Sequence, residues 1–214
     1  MQMLEFQNFS LSVRNRCLYC NALWIPYRVV NLRLDLSGAH IPFDEFDKKA
    51  AIKQLGFALR ATAATIMFLN LSMTHMQLND EQFIGFCFEG LSHMSRLRSL
   101  SFDVSDNCIG NIGANEIQYY LCPTVRDLEW KLRRNCLIDE LDLREATGLR
   151  NVTLDLSRTN ICYLNIPTEV SCLDVNISGS SGWMEKIGEN KGKQNLMFSI
   201  RIMHSTCNEY SECW

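Results

Sequence analysis

One eight-residue phrase recurs along this chain: LDLSGAHI at Leu34–Ile41, LNLSMTHM at Leu69–Met76, FDVSDNCI at Phe102–Ile109 and LDLSRTNI at Leu154–Ile161. Weaker versions are FSLSVRNRCL from Phe9, LEWKLRRN from Leu128, LDLREATG from Leu141, LDVNISGS from Leu173 and FSIRI from Phe198. Such self-similarity restricts the fold more than any other feature of the sequence, because each copy has to satisfy the same local geometry and bury the same face. Apolar and polar residues alternate within each copy, which is the period of a strand with one covered face. Leu32, Leu34 and Leu36 are thus expected to point inward, and Arg33, Asp35 and Ser37 outward.

The copies start about 26 to 35 residues apart once the version at Leu128 is included. Over that distance a helix ordinarily returns the chain and leaves successive strands parallel. FDEFDKKAAIKQLGFALRATAATIMF has a helical, alanine-rich composition, with Phe46, Ala50, Ile52 and Leu55 spaced along one face. LNDEQFIGFCFEGLSHMSRL offers Asn79 as a helix N-cap, with Glu81 and Gln82 in the first turn. IDELDLREATGL follows LEWKLRRN too closely for a unit of its own; it is expected as a returning helix, with LDLRE as an inserted strand the alternative. ICYLNIPTEVSC, with Pro167, is expected to return as extended chain, and GSSGWMEKIGENKGKQ as a loop around one short helical turn before a closing strand at Leu196–Met203.

The segment NCIGNIGANEIQYYL sets Asn107, Ile109, Gly110, Gly113, Ala114, Ile117 and Leu121 in the pattern N-x-I-G-x-x-G-A-x-x-I-x-x-x-L. This pattern resembles a leucine-rich repeat of the ribonuclease-inhibitor kind, and the LDLS phrasing is similar to divergent leucine-rich repeats of protist proteins. The resemblance implies an α/β leucine-rich-repeat solenoid of about eight turns. Such a chain is a curved horseshoe, with parallel strands on its concave face and helices or extended segments on its convex face. It would form a single domain, with residues 1–28 as N-terminal cap and first turn, 29–178 as repeats and 179–214 as C-terminal cap. Ala39, Thr74 and Thr159 take the asparagine position in the other strong copies.

Stacked strands lie about 4.8 Å apart, so residues repeated in register form columns. Aligning the phrases puts Ser12, Asp35, Asn70, Asp103, Glu129, Asp155 and Asp174 in one exposed column, five of the seven being acids. Like charges directly opposite one another cost up to about 1 kcal/mol each unless solvent or a partner relieves them. Asp35, Asn70, Asp103, Glu129, Asp155 and Asp174 are therefore the candidate partner-binding stripe, open to a basic segment of another protein, although a solvated acidic face explains them as well. The resemblance adds that ribonuclease-inhibitor proteins use an acidic concave face against basic enzymes. Phe68, between the inward Met67 and Leu69, is expected exposed beside the stripe, whereas alternation puts Trp130 in the core.

The net charge of −3 argues against a general nucleic-acid binder. No apolar run reaches the ~18 residues of a membrane span, and the opening MQMLEFQNFSLSVR lacks the basic start and apolar block of a secretory signal. The expected location is intracellular, cytoplasmic by default, with a mitochondrial address left open. Ten cysteines are scattered through apolar contexts and read as buried free thiols; Cys17, Cys20, Cys207 and Cys213 are the set a zinc or redox protein would use. His40 and His75 share one repeat position, followed by Cys108 and Asn160, but two ligands leave a zinc site incomplete, so no metal or cofactor is expected. Sequons at Asn8, Asn70, Asn151 and Asn176 read as chance matches. The histidines His40, His75, His93 and His204 stand beside no nucleophile motif, and no catalytic residues are assigned. The expected function is a non-catalytic protein-interaction module, a structural or adaptor subunit of a hetero-oligomeric assembly. The alternatives are a soluble inhibitor or adaptor holding a basic partner on the acidic stripe, and a cysteine-based zinc or redox protein.

Overall fold

Five-residue alternations become strands only where a neighbour accepts their backbone hydrogen bonds, and this chain supplies many neighbours of equal length. The computed structural model describes residues 8–13, 25–26, 28–39, 45–180, 186–187 and 197–201. In chain order these form β1 (Asn8–Ser12), β2 (Asn31–Asp35), α1 (Glu45–Arg60), β3 (Phe68–Ser72), α2 (Asp80–Glu89), β4 (Ser99–Asp103), α3 (Asn111–Tyr120) and β5 (Asp127–Lys131). There follow β6 (Glu140–Asp142), β7 (Asn151–Asp155), β8 (Tyr163–Asn165), β9 (Cys172–Asn176), β10 (Lys186–Ile187) and β11 (Met197–Arg201). An eight-stranded sheet runs β1-β2-β3-β4-β5-β7-β9-β11, and a three-stranded sheet runs β10-β8-β6. Every neighbouring pair in both is parallel.

The expected leucine-rich-repeat solenoid, a horseshoe built from a recurring strand–helix unit, is corrected by this topology. Among the described residues helices return the chain three times, between β2 and β5. The shorter connections after β5 and β7 carry β6 and β8 instead, which pair with each other in the second sheet. Among the described residues the fold is an α/β domain of two sheets and three helices, and the resemblance read from NCIGNIGANEIQYYL does not extend to its architecture. The helix expected over IDELDLREATGL is likewise corrected to the strand β6. Of GSSGWMEKIGENKGKQ, where a helical turn was expected, the described residues are Gly179 and Ser180, which end the turn after β9, and the strand β10.

The helices form where local signals agree. Asn79 Oδ1 accepts the Gln82 N–H at 3.0 Å while Gln82 Oε1 accepts the Asn79 N–H at 3.3 Å, a reciprocal cap that starts α2. α1 buries Ile52, Leu55 and Leu59. It lies against α2 so closely that a Cβ on Gly56 would stand 2.8 Å from Glu89 Cβ, which leaves room for glycine alone. The core fills the space between the large sheet and this second layer. Its bulkiest part stacks Phe83 on Phe102 and Trp130, with ring centroids 5.6 and 6.3 Å apart.

Each of β2, β3, β4, β5, β7 and β9 leads into a turn with a residue of positive φ: Gly38 (61°), His75 (56°), Asp106 (57°), Arg134 (58°), Arg158 (58°) and Gly179 (69°). Four of these are not glycine, and that conformation costs an L-residue about 1–2 kcal/mol. Neighbouring turns hold them there: the N–H of Gly38, His75, Asp106, Arg134 and Arg158 donates to the carbonyl of Thr74, Ser105, Arg133, Ser157 and Ser178 respectively, at 2.7 to 3.3 Å. Directly after two of these positions come Asn107 and Asn135, both buried.

Candidate functional site

The exposed face of the large sheet carries all seven candidate residues, and the strand pairing decides which of them meet. Leu34 pairs with Leu71, Phe102 with Trp130, and Leu154 with Val175. The phrases beginning at Leu69, Leu128 and Leu173 are therefore two residues out of step with those at Leu34, Phe102 and Leu154. The expected single column splits into two. One reads Ser12, Asp35, Ser72, Asp103, Lys131, Asp155, Asn176 and Arg201. The other reads Ser10, Arg33, Asn70, Ser101, Glu129, Thr153, Asp174 and Ser199.

In neither column does one acid pair with another. Asp103 lies between Ser72 and Lys131, Asp155 between Lys131 and Asn176, and Glu129 between Ser101 and Thr153. The like-charge repulsion that called for a basic partner is thus absent from the paired strands. Bases enter the same face: Lys131 Nζ is 3.1 Å from Glu129, and Arg201 Nη2 is 3.2 Å from Asp174.

The acids that close the strands have a local task. Asp35 Oδ1 accepts the Ser37 N–H at 3.2 Å, Asp103 that of Ser105 at 3.1 Å and Asp155 that of Ser157 at 3.1 Å. In the second sheet Asp142 accepts the Arg144 N–H at 3.0 Å, and in β9 Asn176 does the same for Ser178 at 3.1 Å. The spacing Asp-x-Ser in LDLS and FDVS is therefore the signature of a side chain that caps its own turn. Asp155 also accepts from Asn176 Nδ2 at 3.1 Å. Asp155→Ala is expected to cost about 1 kcal/mol of stability in urea unfolding with no partner present, the usual loss for a backbone-capping side chain; an unchanged midpoint would count against the capping role.

Glu129 belongs to the other column. Burial pushes its carboxyl up, but hydrogen bonds from Ser101 (2.8 Å) and Lys131, with the Lys131 charge, outweigh that and hold it below the ordinary glutamate value. A carboxylate depressed in the folded state stabilises it above the unfolded pKa, and that contribution disappears as pH falls through the folded one. Glu129→Gln should therefore remove part of the loss of stability on acidification, read from urea midpoints in steps from pH 6 to pH 3.

Phe68 lies outward on β3, 45% exposed and next but one to Asn70, while Trp130 is buried. The sequons at Asn8, Asn70, Asn151 and Asn176 all fall within strands of the large sheet. Among the described cysteines only Cys87 is in the core, where burial pushes its thiol far up; Cys108 is exposed, and Cys122, Cys136, Cys162 and Cys172 are half-buried. Cys17, Cys20, Cys207, Cys213 and His40 lie outside the described residues, among which no group of three or more ligand-type side chains could hold a metal. His75 faces Asp106, with Nε2 3.7 Å from Oδ2.

No known relative is found. No family model matches the chain, and no curated protein or solved structure matches it. The chemistry must be read from the surface itself. Among the described residues no helix is long and apolar enough to cross a membrane. Two further features went unnoticed in the sequence. One is the run Lys131–Leu132–Arg133–Arg134 at the end of β5; the other is a set of exposed apolar side chains that includes Ile112, Leu137 and Tyr163. The run was visible as KLRR, but the exposure of Ile112 and Leu137 depends on how neighbouring turns pack.

Proposed function

We propose that this chain is a non-catalytic protein-interaction module, a structural or adaptor subunit of a larger assembly. The observation that carries this reading is the end of the large sheet at β1. In β2, β3, β4, β5, β7 and β9 both inward residues are exposed by 2% or less, from Leu32 and Leu34 through to Leu173 and Val175. Phe9 and Leu11, their counterparts in β1, are only half-buried. Among the described residues β1 has one hydrogen-bonded neighbour in the sheet, and its sequence NFSLS contains neither the charge nor the proline with which proteins commonly block edge pairing. A partner seated on this edge would complete the burial of the two side chains.

The test compares the tagged chain with Leu11→Asp, both isolated from the native source and sized at high salt. The reading expects a complex of constant composition with the first and a lone, folded chain with the second. An identical complex with both, or none with either, sinks it.

A further inference from the structure

We infer that the turns following β5 and β7 form a docking surface for an acidic segment of a partner protein that also carries an apolar anchor. This rests on the interaction-module reading and names the partner's chemistry.

The argument starts from a departure within the fold. At the turns of β4 and β7 the chain places Asp103 with Ser105 and Asp155 with Ser157, each acid capping its own turn. The β5 turn lies between them, and there Lys131 and Arg133 occupy the equivalent positions. The self-capping acid has been exchanged for two cations, followed by a third in Arg134.

Among the described residues, Arg133 and Arg158 are exposed and no acid pairs with them. Lys131 is taken by Glu129 at 3.1 Å and Arg134 by Asp106 at 3.0 Å. The Arg134 N–H donates to the Ser157 carbonyl at 3.0 Å, so the two turns lie side by side and their free guanidinium groups belong to one patch.

The same surface is apolar a few residues on. Leu137, three positions after Arg134, is 65% exposed and rests over Gly110, where a Cβ would stand 3.4 Å from its own Cβ. Ile112, in the first turn of α3, is 68% exposed. The nearby Asp139 is occupied by Asn111. Forked guanidinium groups suit carboxylates, and exposed aliphatic side chains suit a buried anchor more than a nucleic-acid backbone, which the formal charge of −3 also disfavours.

The test uses the full chain and a fluorescein-labelled peptide, EEDLLDEE, followed by fluorescence anisotropy. Saturable binding is expected, weakened tenfold or more by Arg133→Glu with Arg158→Glu, about threefold by Leu137→Ser, and progressively by added salt. Circular dichroism confirms that each variant is folded; Arg133→Ser, which installs the residue type of the β4 and β7 turns, gives a milder second variant expected to weaken binding severalfold. Absence of saturable binding, or binding unaffected by the arginine replacements, overturns the inference. So does tighter binding of a single-stranded RNA oligonucleotide that the same replacements abolish. If the Leu11-dependent complex persists while the peptide fails to bind, the docking inference falls and the module reading stands; if the peptide binds and the complex is absent, the reverse holds.

Discussion

Replacing Asn107 by alanine should lower the unfolding free energy by about 3–5 kcal/mol, measured from urea denaturation at neutral pH. Its side chain is buried and fully used. Nδ2 donates to the carbonyls of Met73 (2.8 Å), Val104 (2.9 Å) and Ser105 (3.3 Å), and Oδ1 accepts the N–H groups of Met76 (3.1 Å) and Leu78 (3.0 Å). Those partners belong to the turns of two neighbouring strands, β3 and β4, and burial denies them water as a substitute. Each unpaired buried group costs about 1–3 kcal/mol, so even partial relaxation leaves a large loss. Asn107→Asp should cost a similar amount, because it keeps the acceptor but sets a charge against three carbonyls. A loss below about 1 kcal/mol for Asn107→Ala would mean that the turns do not depend on this side chain.

A contrast at Trp130 is the second large effect. Trp130→Ala should cost about 3–5 kcal/mol, as is usual when a large aromatic is removed from a core. Trp130 is fully buried and stacks on Phe83, yet its indole Nε1–H has no acceptor. Trp130→Phe leaves a small void but also removes that unsatisfied donor, and the two effects oppose each other. Its expected cost is within about 1 kcal/mol, since an unpaired buried donor carries a penalty of about 1–3 kcal/mol. Thermal and urea unfolding of both variants test this; equal losses would show that the indole N–H is satisfied after all.

Much of the local structure was legible in the sequence because it obeys short-range rules. Alternation placed Trp130 inside and Phe68 outside, and the Asn79–Gln82 pair marked the start of α2. Alternation cannot detect a register error of two residues, since a slip by two keeps every side chain on its own face. The phrases at Leu69, Leu128 and Leu173 slipped in this way, and one apparent acidic column was assembled from two real ones. A better marker was present: the buried asparagine that follows the positive-φ residue. Aligning Asn135 in LEWKLRRN with Asn107 in FDVSDNCI puts Trp130 beside Phe102, as in the structure. The strand β6, the alternative to a helix over IDELDLREATGL, ranked second for another reason. Three residues are too few for a period to show, and what makes ELD a strand is the presence of β8 beside it.

Asn107 and Asn135 bind the turns of β3, β4 and β5 to one another. Resistance to unravelling is therefore unequal along the sheet, greatest near its middle and lower at the β1 margin, where Phe9 and Leu11 are only half-buried. A companion protein clasping that margin would shield the part a protease reaches first, so this chain's survival in a cell would follow the supply of whatever clasps it.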